Sequence, residues 1–140
     1  MKQRRNATAA ECDRLWAQIV LSRAMGRCYL CKRILPLEPH HIIFRSQSSD
    51  PSIRFDPDFG VGLCVDCHHH APDAPHLNNK RFLEAVGKWM ACRDRTRWLK
   101  IEPFLFKAVR PFYGPVNYGE MARRLREEIR GKGAVAKQFP

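Results

Sequence analysis

The sequence predicts a small α+β fold: a short strand–strand–helix core at residues 27–76, flanked by N- and C-terminal helices. Three observations predict it. Two Cys-x2-Cys pairs, Cys28/Cys31 and Cys64/Cys67, bracket 32 residues of turn-rich chain. All six histidines fall between His40 and His76. Apolar residues recur at helical spacing on both sides of that segment but not within it.

The 140 residues amount to one domain, or to one small module with helical extensions. Hydrophobic residues make up 44% and charged residues 28%, which excludes a wholly disordered chain. No run approaches the ~18 apolar residues of a membrane span. The longest candidate, Leu15 to Leu21, contains Gln18 and follows Glu11 and Asp13, so it does not read as a signal peptide either. The expected setting is the cytoplasm of a bacterium or a phage-infected host cell. In that setting six cysteines point to metal ligands or free thiols rather than disulfides.

Taken in order, residues 1–26 form an N-terminal helical segment. Thr8 and Glu11 fit a capping box, Leu15, Trp16, Ile19 and Val20 follow at helical spacing, and Gly26 is a natural stop. The helix is expected over 9–25. Residues 27–76 hold two brief apolar runs, His41–Phe44 and Val61–Leu63, read as short strands. Asp50-Pro51 and Asp56-Pro57 mark the loop between them, and a helix is expected to start near Asp66. Residues 77–131 form a basic helical extension. Phe82, Val86, Trp89 and Met90 line one face of a helix running to about Arg97, and residues 98–116 read as irregular but packed. A last helix starts near Asn117, carries Met121, Leu125 and Ile129 at four-residue steps, and stops at Gly131. Residues 132–140 read as a flexible tail.

Four thiolates in two Cys-x2-Cys pairs supply a complete tetrahedral set, and soft thiolates select zinc over magnesium or calcium. A structural Zn2+ on Cys28, Cys31, Cys64 and Cys67 would staple a segment too short to bury much apolar surface. Such a closed site has no position left for a substrate. Cys12 and Cys92 fall inside expected helices and read as ordinary semi-buried thiols.

The end of the first strand faces the start of the following helix in a ββα hairpin, which brings His40-His41 towards His68. Neutral imidazoles there would hold a divalent ion with positions open for a phosphate oxygen and water. A neighbouring histidine outside the metal shell would take a proton from that water. His69 and His70 read equally as exposed turn residues, and His76 as a cap or surface residue.

These residues carry a family pattern. Cys28-x2-Cys31, then Pro39-His40-His41-Ile42-Ile43, then Gly60-Val61-Gly62-Leu63-Cys64-x2-Cys67-His68 resembles the HNH (His-Me finger) endonucleases that carry a four-cysteine zinc. The match covers about residues 27–76. The resemblance implies a ββα-metal core that hydrolyses phosphodiester bonds with Mg2+, Mn2+ or a similar ion. It implies His41 as general base, and His40 and His68 as ligands of the catalytic ion. One position departs: the family's middle Asn falls here on Phe59, which can neither bind metal nor hydrogen-bond the loop holding the base. Asp58, His70 and His76 are the polar residues that could stand in.

The net charge is +11, from 25 Lys+Arg against 14 Asp+Glu. Residues 77–140 hold most of the excess, which points to a polyanionic partner, nucleic acid ahead of acidic proteins or lipid surfaces, and the resemblance implies DNA. Lys80 and Arg81 begin the helix after the site, with Arg93, Arg95 and Arg97 further along, and Arg123, Arg124 and Arg126 lie on the last helix. A solvated helix face explains any one of them, and only the collective excess argues for phosphate contacts. The expected function is a metal-dependent DNA endonuclease or nickase, of the kind that serves phage recombination or packaging. The competing expectation is a zinc-stapled DNA-binding module with weak or lost catalysis, and a weaker one is a protein-interaction zinc ribbon. Cys92 and the aromatic 104–118 segment leave a homodimer or a phage protein partner open.

Overall fold

In the computed structural model the chain is described over residues 7–44, 50–105, 112 and 114–132, Lys132 by its backbone alone. The tail expected at 132–140 therefore lies outside the described residues except for Lys132, as does part of the 98–116 segment. Helix α1 (Ala9–Ala24) starts where the Thr8 hydroxyl accepts the Glu11 amide at 3.2 Å, a cap that contributes about 1 kcal/mol. It ends where Met25 turns left-handed at φ 52° and Gly26 continues at φ 76°.

Strands β1 (Leu37–His41) and β2 (Gly60–Cys64) form a two-stranded antiparallel sheet with His40 opposite Val61 and His41 opposite Gly60. β1 begins earlier than the apolar run that predicts it. Ile42 and Ile43 lie just past the strand and are buried as core residues, although the Ile42 amide still donates to the Phe59 carbonyl at 2.8 Å. Pro39 is tolerated inside β1 because both strands of a two-stranded sheet are edges. The Asp-Pro pairs do more than turn the chain. Asp50 caps the short helix α2 (Pro51–Arg54), and Asp56 caps a 3₁₀ turn at Pro57–Phe59, each with proline in the first turn.

The helix expected from Asp66 is a single π turn, Asp66–His70, closed by the Ala71 amide on the Asp66 carbonyl at 2.7 Å. Pro72 and Pro75 follow, and neither can continue a helix. Helix α3 (Asn79–Arg93) starts at an Asn78 cap. It stops at Asp94, whose carboxylate caps a separate helix, α4 (Arg95–Ile101). The single helix expected to run to Arg97 is thus two. A 3₁₀ turn at Glu102–Phe104 follows, and α5 (Tyr118–Lys132) opens with the Asn117 side chain accepting the Glu120 amide at 3.0 Å.

The sheet separates two apolar clusters. Val61 and Leu63 pack with Phe82, Val86 and Met90 of α3 and with the cysteines. On its other side the sheet meets α1, whose outer residues Cys12, Leu15 and Trp16 form a second cluster with Phe55 and with Ala122 and Leu125 of α5. Gly60 makes that approach possible. A Cβ there would stand 2.4 Å from the Trp16 ring and 2.6 Å from Val20. Among the described residues no helix is long and apolar enough to cross a membrane.

Candidate functional site

Cys28 and Cys31 sit in a knuckle closed by two backbone bonds, the Cys28 amide to the Arg33 carbonyl and the Lys32 amide to the Cys28 carbonyl, each 3.0 Å. Lys32 takes the left-handed conformation at φ 65°, which turns the chain back within the knuckle. Cys64 ends β2 and Cys67 lies on the π turn, so the two pairs arrive from separate parts of the chain. One sulfur from each of the four lies within 4.8 Å of the others. The Cys31 and Cys64 sulfurs are 3.9 Å apart, close to the ~3.8 Å edge of a tetrahedron with ~2.3 Å zinc–sulfur bonds. All four thiols are free, and the group can hold a metal such as zinc.

Three of these thiols titrate away from the ordinary value, one down and two up. Burial would raise Cys31, but hydrogen bonds from the Arg33 backbone and side chain bring it down to about 6. Cys67 is pushed up by burial and by the charge of Cys28. Thiolates packed this closely repel one another, and a divalent ion at their centre removes that opposition.

The second cluster is histidine. The pleat sends alternate residues of β1 to opposite faces, so Glu38 and His40 share one face and His41 takes the other. His40, 5% exposed, meets His68 from the π turn and His76 from the loop before α3, and their ligand nitrogens lie within 4.8 Å of one another. His68 Nε2 and His76 Nε2 are 2.9 Å apart. His40 Nε2 is buried and has no hydrogen-bond partner. Burial, then the neighbouring histidines, lower the His40 pKa to about 3, so its imidazole is neutral and its nitrogen can serve as a ligand. His68 is lowered by burial, against the opposing pull of Glu38.

Glu38 completes the arrangement. Its carboxylate lies 3.1 Å from His68 Nδ1 and 3.3 Å from His69 Nε2. With Nδ1–H donated to Glu38, His68 presents Nε2 as the acceptor towards His40 and His76, which is how a carboxylate orients a metal-binding imidazole. Three convergent imidazole nitrogens, one of them orphaned and one backed by a carboxylate, fit a divalent ion. Glu38, His68 and His69 form an overlapping group of donors that shares His68.

The cluster therefore unites two of the residues expected to converge, His40 and His68, and adds His76, which reads from sequence either as a cap or surface residue or as one of three stand-ins for the family's middle Asn. The signal for His76 was its position eight residues after His68, on the far side of Pro72 and Pro75. His41 stands apart from this group. Its ring stacks on Trp16 of α1, centroids 3.8 Å apart and planes 6° from parallel.

Phe59 is 2% exposed, packed edge-on against Phe104 with ring centroids 5.7 Å apart. Asp58, one of its polar neighbours, is committed elsewhere. Its carboxylate pairs with Arg23 and Lys100, each at 2.9 Å. Arg97 departs from its expected place on a basic face: it is buried, with Nε donating to the Asp58 carbonyl at 2.7 Å and Nη2 to the Gly60 carbonyl. Neither of the two thiols expected to be semi-buried is so: Cys12 is fully buried and Cys92 is exposed.

Lys80 and Arg81 are exposed on the first turn of α3, close in sequence to His76. Arg123, Arg124 and Arg126 are exposed on α5, which packs on α1. Arg123 pairs with Glu120 and Glu127, Arg124 with Glu120, and Arg126 faces Glu11 at 3.6 Å. Comparison of the chain with protein-family models, with curated proteins and with solved structures returns no match.

Proposed function

We propose that this chain is a metal-dependent DNA endonuclease or nickase of the HNH kind, built on a zinc-stapled ββα-metal core. The observation that carries the reading is the convergence of His40, His68 and His76, with the buried His40 Nε2 left without a partner. A structural role for three imidazoles would leave each ring nitrogen hydrogen-bonded. The neighbouring four-cysteine group, in the order and spacing of the HNH pattern, supports the same reading.

In this reading His40, His68 and His76 hold the catalytic ion through neutral imidazoles, and Glu38 fixes the tautomer and orientation of His68. A bound divalent ion supplies positive charge next to the phosphate, where negative charge develops during hydrolysis. His41, on the opposite face of β1 from the ligands, stays outside the metal shell and takes the proton of the attacking water at a ring nitrogen. Lys80 and Arg81 flank the site and meet the DNA backbone, with Arg123, Arg124 and Arg126 as a more distant contribution. A small phage or prophage nuclease acting in recombination or packaging fits this chemistry and this charge.

The second reading is a zinc-stapled DNA-binding module with weak or lost catalysis. The stack of His41 on Trp16 favours it, because a ring held by packing has a structural use of its own. Nicking of supercoiled plasmid separates the two. The first reading expects Mn2+- or Mg2+-dependent nicking that EDTA abolishes and that His41→Ala and His40→Ala each lose. Binding of plasmid without nicking at any divalent ion establishes the second.

A further inference from the structure

We propose that Arg97 is the positioning residue for His41, holding from α4 the segment that the family's middle Asn would hold from position 59, in the turn just before β2. The inference rests on the nuclease reading above, with His41 as the base.

Three successive carbonyls face this part of the core. Arg97 donates to the outer two, Nε to Asp58 at 2.7 Å and Nη2 to Gly60. The middle one, Phe59, accepts the amide of Ile42 at 2.8 Å. Ile42 follows His41 directly, and Gly60 is the residue opposite His41 across the sheet. The guanidinium thus spans the peptides on both sides of the one that anchors the backbone beside His41. Its planar fork supplies two donors at a fixed angle, which a lysine cannot reproduce.

The surroundings leave Arg97 little other purpose. It is 8% exposed, so it cannot serve as a phosphate contact, and its position on α4 links the helical extension to the start of β2. The Phe59 side chain is buried against the Phe104 ring and has no hydrogen-bonding atom with which to fix the same segment. From the other side, the Trp16 ring bears on His41 and is itself tied down by Nε1 donating to the Asp56 carbonyl at 3.0 Å. His41 therefore rests beside a segment, residues 56–60, in which every carbonyl accepts a hydrogen bond: Asp56 from Trp16 and the Phe59 amide, Pro57 from the Gly60 amide, Asp58 and Gly60 from Arg97, and Phe59 from the Ile42 amide.

The test compares wild type, Arg97→Lys, His41→Ala and the double variant, with Arg97→Gln as a second substitution should the lysine variant lose its zinc. Zinc content and Mn2+ affinity of the histidine cluster should match wild type in the single Arg97 variants. The kcat for Mn2+-dependent nicking should fall about 10–100-fold with KM for DNA unchanged, the usual effect of removing an orienting partner. Amide exchange at Ile42 should accelerate, while exchange at Tyr29, bonded to the Gly62 carbonyl further along β2, should not. In the His41→Ala background the Arg97 substitution should cost no further activity, because it acts through the imidazole already removed. An equal loss in both backgrounds, an unchanged kcat or an unchanged Ile42 exchange rate overturns the proposal and leaves the nuclease reading standing. A wild type that does not nick DNA overturns both.

Discussion

Trp16 and His41 lie ring on ring, with centroids 3.8 Å apart and planes 6° from parallel. The neighbouring His40 faces the other way, into the group formed with His68 and His76. One peptide bond thus separates two imidazoles with different surroundings, one packed on an indole and one buried beside potential co-ligands.

That separation predicts distinct losses. His41→Ala should lose about 10²–10⁴-fold in nicking rate and keep its Mn2+ affinity, because the imidazole lies outside the ligand group. His40→Ala and His76→Ala should instead weaken Mn2+ binding, measured by titration calorimetry on the zinc-loaded protein. Undiminished Mn2+ affinity in His76→Ala would remove that residue from the ligand set.

The cysteine group should behave as a folding element. Cys64→Ser should lose the bound zinc and unfold the residues around β1 and β2, since structural zinc contributes about 10 kcal/mol or more in apparent binding free energy. Metal analysis of the wild type should find one zinc per chain. A Cys64→Ser variant with native circular dichroism and an unchanged melting temperature would contradict this role.

Gly60 offers a test of the close approach between α1 and the sheet. Gly60→Ala places a methyl group 2.4 Å from the Trp16 ring, in a core with no room to relax cheaply. The expected cost is about 1–3 kcal/mol of stability, read from denaturant unfolding. The indole must shift to accept the methyl, so nicking should fall as well.

The Asp58 carboxyl predicts an acid limit. Burial raises its pKa, but Lys100 and Arg23 outweigh that and hold it below the ordinary 3.8. The unfolded chain therefore takes up the proton first. The stabilisation is fully present above pH 3.8 and is lost as pH falls through the lower folded value. Asp58→Asn should reduce stability at neutral pH and flatten the fall below pH 4. Parallel pH–stability curves for the two proteins would show that the ion pairs contribute nothing.

DNA affinity should divide unevenly between the two basic regions. Lys80→Ala/Arg81→Ala should reduce the slope of log affinity against log salt by about 2, as expected for two lost phosphate contacts. Arg123, Arg124 and Arg126 are already opposed by Glu120, Glu127 and Glu11, so neutralising all three should change the slope less. Fluorescence anisotropy across a salt series measures both, and a larger effect from the α5 variant would move the DNA surface to that helix.

The sequence by itself determined the helices with strong local signals. Thr8, Asn78 and Asn117 each supply a cap through a side chain that bonds an amide a few residues on, which needs no tertiary contact. It also determined the four-cysteine group, because two-residue spacing within each pair is itself a geometric constraint on the ligands. The strand limits were less legible: the apolar Ile42 and Ile43 mark burial, and burial does not require strand pairing. Asp94 was hidden for a different reason: residues 93–97 are Arg-Asp-Arg-Thr-Arg, with no apolar residue to mark where α3 stops and α4 begins.

Only the tertiary structure decided which polar residues share a site. His76 reaches His68 across a proline-bearing loop, and Arg97 reaches the carbonyls of Asp58 and Gly60 from a helix nearly 40 residues away in sequence. A sequence shows that a histidine or an arginine is available but not which buried atoms need it. The orphaned His40 nitrogen and the carbonyls at the start of β2 exist as demands only once the chain has packed around them.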